Sequence, residues 1–476
     1  MSNATPHETS ESKYDLQFLT VTDLAEFRDP QTKRKVRSHI QRGRQRHLRH
    51  GEHSRKDEIV LDTSSLSAAH EKRSHLADQL IQIAPQLPHP SDLGAGRSDP
   101  FKRYPIDMNL RTHELFDHLQ GNDCSMFRTL NKIGFFQLVQ HETAFRQILY
   151  TSSADMARLR NYKEENIEVI SLSGKAIRSL SRLIADPMLC TGDEIIISVL
   201  AFACHCVMSN DGQGVLTHFQ GLEEIIKRKG GLPGLGDNQV LRTMFFWLDV
   251  NAAFLLDRPL RFPIPSDMLP PVNADLPSSF ATSPVTKLSG TADFLSATAD
   301  LFTLNQLIIN EMALRDLWDD GVFAGLLVVP VIAKFLSIPH NITEQDPGVA
   351  NQEAFRLGAL LYLSVVRRRF GVDLGVDIYL SKLKVILAIP DQDLDCLVSI
   401  WLLVLGGLQS FLSEHHQWYI SATADLVFKM QYSFWTEVKT ALEQVLWIEG
   451  LLEEECEKFR MEVTSNLWEN FEYWLH

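Results

Sequence analysis

From residue 99 to the C-terminus, apolar positions recur every three or four residues, the spacing that lines one face of an α-helix. Leu216, Phe219, Leu222, Ile225 and Ile226 form one such face, and Gly230-Gly231 just beyond predicts its C-terminal stop. Residues 240–256, 301–317, 354–370, 394–412 and 434–447 follow the same period. Alternating strand patterns bounded by hairpin turns are nearly absent, so the fold class is all-α, a large multi-helix array. The longest apolar run, residues 396–408, is thirteen residues long and holds Ser399, Gly406 and Gly407. That falls short of the roughly 20 apolar residues a bilayer span requires, and residues 322–331 are shorter still. Both runs are predicted to be buried core helices, and no membrane partner is expected.

The helical period breaks where residues 263–290 hold six of the twenty prolines together with several Ser and Thr. Proline removes a backbone donor and clashes with the preceding turn, so a long surface loop is predicted here rather than a regular element. Neither side of the break has a composition of its own, and residues 99–476 read as one continuous helical domain. Residues 58–98 look like a linker, charged and carrying Pro85, Pro88, Pro90, Gly94 and Gly96. Residues 1–57 form an N-terminal extension. It has a weak strand signal over residues 14–21, then a helix start at Asp29-Pro30, an N-cap residue followed by proline at the first helical position.

Charge sharpens the picture of that extension. Residues 33–50 hold eight cations, Lys33, Arg34, Lys35, Arg37, Arg42, Arg44, Arg46 and Arg49, and no acid. The whole chain stands at −14, so the other 458 residues stand at −22. Exposed helices ordinarily interleave both signs at i, i+4 spacing, and eight cations without an acid point to a polyanionic or acidic partner. Val36, Ile40 and Leu48 are too few to hold the tract in shape, and it is predicted to stay frayed until it binds. A nuclear import receptor and the phosphate backbone of DNA both fit. No aromatic lies between Lys33 and His50, which disfavours stacking on single-stranded bases and favours sequence-independent phosphate contact.

Candidate chemistry is sparse. The first thirty residues carry Glu8, Glu11 and Asp15 and no early apolar block, so no secretory signal is read and an intracellular protein is expected. Cysteines 124, 190, 204, 206, 396 and 456 are scattered; Cys204 and Cys206 would point about 200° apart on a helix, and reduced core thiols are expected. His70 and His75 in residues 70–75 miss by one residue the i, i+4 spacing of a zinc site. Ser173-Gly174-Lys175 lacks the rest of a P-loop and is read as a helix start. Residues 230–236 are Gly-rich but follow a helix, where a dinucleotide loop follows a strand, so a helix stop and turn are predicted. Glu414-His415-His416 is read as a surface turn. Six of the eight tryptophans fall between 401 and 474, and core anchoring is favoured for them over a ligand pocket. No enzyme, cofactor or metal is expected.

Several short segments stand in a distinctive order along the chain. They are Lys35-Val36-Arg37-Ser38-His39 after the aromatic segment around Phe18, then Asp99-Pro100-Phe101 with Tyr104-Pro105. The middle supplies His218-Phe219-Gln220-Gly221-Leu222, Lys229-Gly230-Gly231-Leu232, Trp247-Leu248-Asp249 and Arg261-Phe262-Pro263, and residues 353–362 and Trp447 follow. Taken in that order, these segments resemble the fungal-specific transcription-factor regulatory domain, in the subset lacking the zinc binuclear-cluster finger. The resemblance implies a nuclear, all-α transcription regulator with partners in the transcription machinery, and a homodimer is compatible with that class. Zinc-cluster members open on six closely spaced cysteines, and none precedes Cys124 here, so zinc is not carried over. The alternative is a protein-interaction scaffold or co-regulator that does not bind DNA and uses the basic tract for import alone.

Overall fold

Helix boundaries follow from local chemistry. In the computed structural model, residues 104–121, 125–160, 167–236, 238–265, 276–288, 290–339, 347–390 and 393–475 are described, all inside one compact unit, residues 75–476. The basic tract, the strand signal, residues 70–75 and the boundaries at 57 and 98 lie outside the described residues. Helices of eight or more residues are α1 (Leu110–Gln120), α2 (Ser125–Lys132), α3 (Glu142–Leu159), α4 (Ile167–Ala185), α5 (Asp193–Met208), α6 (Gly212–Arg228) and α7 (Gln239–Leu256). The series continues with α8 (Ala292–Met312), α9 (Val329–Ser337), α10 (Pro347–Arg369), α11 (Asp377–Leu387), α12 (Cys396–Gln409), α13 (His416–Lys429), α14 (Trp435–Val445) and α15 (Glu453–Leu475). No strand occurs among the described residues.

Side-chain caps start several of these helices, each satisfying an amide that the first turn leaves without a partner. Asp211 accepts from the Gly214 amide at 2.9 Å, Asn238 from Leu241 at 3.0 Å, Thr291 from Phe294 at 3.2 Å and Asp395 from Leu397 at 2.9 Å. In the first turn of α9, Pro330 has no N–H to close the ladder, and the preceding Ala324–Val328 widens into a π turn. The two apolar runs, residues 322–331 and 396–408, are largely buried, but Cys396 stands exposed at the first position of its helix, so that thiol is not in the core as expected. No described helix is long and apolar enough to cross a membrane.

The helices pack sequentially, α1 on α3, α3 on α4 and α5, and α5 on α6 and α7. Helix α7 is buried almost all round and leads through α9 to α8 and α10. Helix α12 is the corresponding hub of the C-terminal half, touching α10, α11, α13, α14 and α15. One connected hydrophobic cluster runs from Leu115 to Val463.

Three expectations need correction. The helix read over residues 301–317 is Ala292–Met312; Leu317 is fully buried from the following turn, so a core residue outside the helix mimicked its period. Residues 263–290 include a helical turn at Ser278–Thr282 and a 3-10 turn at Pro284–Lys287, with Ser283, Pro284 and Val285 buried; proline is tolerated in a first turn, where its missing donor costs nothing. Ser173-Gly174-Lys175 sits in the interior of α4 and starts nothing.

Candidate functional site

A cleft of about 430 Å³ opens where α6 ends, α7 begins and the chain leaves α7. Its floor follows from glycine chemistry. Gly230 and Gly231 adopt φ of 99° and 86°, a region that favours glycine, and they turn the chain off α6 into the 3-10 turn Leu232–Leu235. A Cβ on Gly234 would meet the Lys229 carbonyl oxygen at 2.4 Å. Leu232, Pro233 and Leu235 line one wall, and Phe245 and Phe246 of α7 another.

Asp249 closes the cleft. Its carboxylate accepts the Phe262 amide at 3.0 Å and the Arg261 amide at 3.1 Å, so the exit segment is tied across α7. Burial pushes the Asp249 carboxyl up to about 6, against the pull of those two amides. The Phe262 ring then stands edge-on to Phe245 with centroids 4.5 Å apart, and Arg261 pairs with Glu223 of α6 at 2.8 Å. Three segments separate in sequence, Gly-Gly-Leu, Trp-x-Asp and Arg-Phe-Pro, thus build one pocket. Its aromatic walls and single buried carboxyl suit an apolar ligand or side chain.

Residues 128–284 match the family model of the fungal specific transcription factor domain. No curated protein and no solved structure matches the chain. The resemblance read from the motifs is borne out over that stretch, which holds α3 to α7 and the cleft, and it supports a transcription regulator.

A second constellation joins the stretch matched by that family model to the rest of the chain. Arg356, with no exposed surface, donates to both oxygens of Asp257 at 2.9 and 3.0 Å and to both of Glu353 at 2.6 and 2.8 Å. Lys382 of α11 adds a bond to Asp257 at 2.5 Å. Burial alone would raise the Asp257 carboxyl, but Arg356 and Lys382 hold it below the usual carboxylate range. Asp257 caps α7 at φ 44°, uncommon for a residue other than glycine, and the cation pair holds it there. Beside it, Arg367 lies over the Phe254 ring at 4.0 Å and donates to Asn251 at 3.1 Å, while its Nε and Nη2 have no protein acceptor. Burial pulls that guanidinium down to about 10.

The eight cations of the basic tract lie outside the described residues. The buried charge cluster was missed in the sequence; the signal was Glu353 and Arg356, two charges three residues apart inside the apolar run of α10. Residues 414–416 are more than a surface turn. His416 opens α13 and bonds Glu462 at 2.7 Å and Ser410 at 3.0 Å. Such a set resembles a hydrolase triad, yet the Ser410 hydroxyl has no exposed surface and donates to the Gly407 carbonyl, so it meets no substrate. Among the described residues no group of His, Cys, Asp and Glu gathers to hold a metal ion. Trp401 is a core anchor, its indole N–H donating to the Leu446 carbonyl at 2.7 Å.

Proposed function

We propose that this chain is a nuclear transcription regulator whose helical body, residues 99–476, receives a regulatory input while residues 33–49 supply nuclear import, DNA-backbone affinity, or both. The match of residues 128–284 to the fungal specific transcription factor domain carries the reading. The eight cations, Lys33, Arg34, Lys35, Arg37, Arg42, Arg44, Arg46 and Arg49, stand on a chain otherwise at −22, which is what a phosphate or import-receptor contact requires.

On DNA, each neutralised phosphate releases counterions, so log affinity falls with log salt at a slope of about −0.9 per phosphate. Replacing the eight Lys and Arg with Gln in the full chain is expected to remove salt-sensitive binding to mixed-sequence duplex and to reduce nuclear accumulation. If both survive the replacement, the role given to the tract is wrong.

A second reading, an interaction scaffold that does not bind DNA, is favoured by a groove of about 740 Å³ between α13, α14 and α15. Tyr432, Trp435, Val438 and Val463 line it, and Phe428 and Phe434 stand largely exposed at its edge. Genome-wide occupancy without reproducible sites, together with nuclear localisation lost in the Gln variant, selects this reading over the first.

A further inference from the structure

We propose that the outward face of α4 is a docking surface for an acidic amphipathic helix of a partner protein. Helix α4 has two apolar faces. One, with Ala176, Ser179 and Leu183, packs inward, mainly on α3. The other is open to solvent: Ile167, Ile170, Ile177 and Ile184 are 84, 55, 52 and 57% exposed.

With Gly174 and Ser181, these residues fall at 167, 170, 174, 177, 181 and 184, alternating by three and four as in a coiled-coil seam. Gly174 leaves a low point between the isoleucines. A Cβ there would meet only the Arg178 guanidinium, at 3.3 Å, so the backbone faces outward and another helix can approach closely. A solvated helix face has no use for a ladder of β-branched residues, which are neither strong helix formers nor soluble ornament.

Charge identifies the occupant. Lys175, Arg178 and Arg182 run along one edge of the stripe, at i, i+3 and i+7, and none has a carboxylate partner among the described residues. The one acid in the helix, Glu168, is turned to α1, where Arg111 holds both its oxygens at 2.8 and 2.7 Å. An unpaired basic edge on a strongly acidic chain calls for carboxylates from elsewhere. A second copy fits poorly: an antiparallel pair sets the cationic edges together, where like charges repel, and a parallel pair turns each cationic edge to Ser173 and Leu180, which offer no carboxylate. Size agrees: a 19-residue helix is about 28 Å long and about 10 Å across, so one face presents on the order of 300 Å², below the roughly 800 Å² per partner of a standard stable interface, and the contact belongs to the weak and reversible class. The surface is independent of the basic tract, and its test involves no DNA.

The probe is a labelled synthetic helix of about 21 residues, with Leu at the a and d positions and Glu along the flanks, titrated with the full-length protein and read by fluorescence anisotropy. Micromolar, saturable binding is expected. Ile177→Glu should weaken it at least about tenfold, and Arg178→Glu or a tenfold rise in salt several-fold. A probe with Lys for Glu should bind at least about tenfold more weakly. All these side chains are exposed, so the variants should keep the parent melting temperature; Ile170→Ser serves where Ile177→Glu does not. Equal binding by Ile177→Glu or Ile170→Ser, or by the Lys probe, overturns the proposal. So does a dimer in sedimentation that either isoleucine variant converts to monomer, since that gives the stripe to a second copy.

Discussion

Asp249 does two jobs with one carboxylate, receiving the Arg261 and Phe262 amides and lying almost fully buried in the cleft wall. Its folded pKa, pushed up to about 6, exceeds the ordinary value of about 3.9. The folded state therefore holds the proton more tightly than the unfolded one. The resulting stabilisation is fully present below about pH 4 and is lost as pH rises through 6. It amounts to an order of 3 kcal/mol at most. Asp249→Asn keeps an acceptor for the amides without a titrating charge, so the decline in urea midpoint between pH 4 and 7 should be smaller than in the parent. An unchanged pH profile would assign the decline to other groups. Arg356 acts differently, since its worth lies in what its removal exposes. Arg356→Met leaves Asp257 and Glu353 buried without their shared cation, and about 3–5 kcal/mol of stability should go with it. Arg356→Lys should recover only part, because an ammonium cannot bond both carboxylates in pairs; denaturant midpoints rank the three proteins.

At the scale of elements, identical changes should act with opposite sign according to what surrounds them. Gly221 sits on the exposed side of α6 with nothing within 4 Å of a Cβ built there. Gly221→Ala should therefore stabilise by about 0.5–1 kcal/mol through helix propensity alone. Gly407 lies where α12 crosses α15, and a Cβ there would meet the Phe459 ring at 2.1 Å. Gly407→Ala forces the helices apart and should cost about 1–3 kcal/mol, read as a lowered thermal midpoint. Helix period was legible in the sequence at α6, α7, α8, α10, α12 and α14 because it is a local property. It failed over residues 313–317, where Leu317 enters the core from a turn rather than from a helix. The outer stripe of α4 obeys the same period as a buried face, so spacing alone does not distinguish a face that packs from one that waits for a partner.

For the whole molecule, the junction at α7 decides whether the helices up to α7 and the C-terminal helices behave as one body. Asp257, Asn251 and Phe254 of the α7 end meet Arg356, Arg367, Tyr379 and Lys382 of α10 and α11, across separations of up to 125 residues. A signal arriving at the cleft is about two helical turns along α7 from that cluster, since Asp249 and Asp257 stand on the same helix and its cap. The sequence by itself determined the all-α class, the approximate positions of six helices, the Gly230-Gly231 stop, the family resemblance and the division between a basic tract and an acidic body. Each depends on residues close together in the chain or on composition. Only tertiary structure decided that the Gly-Gly-Leu, Trp-x-Asp and Arg-Phe-Pro segments share one cleft, that Arg356 neutralises a carboxylate 99 residues away, and that one face of α4 stays bare. Those outcomes depend on which helix faces meet, and a repeating period marks a face without naming what it packs against.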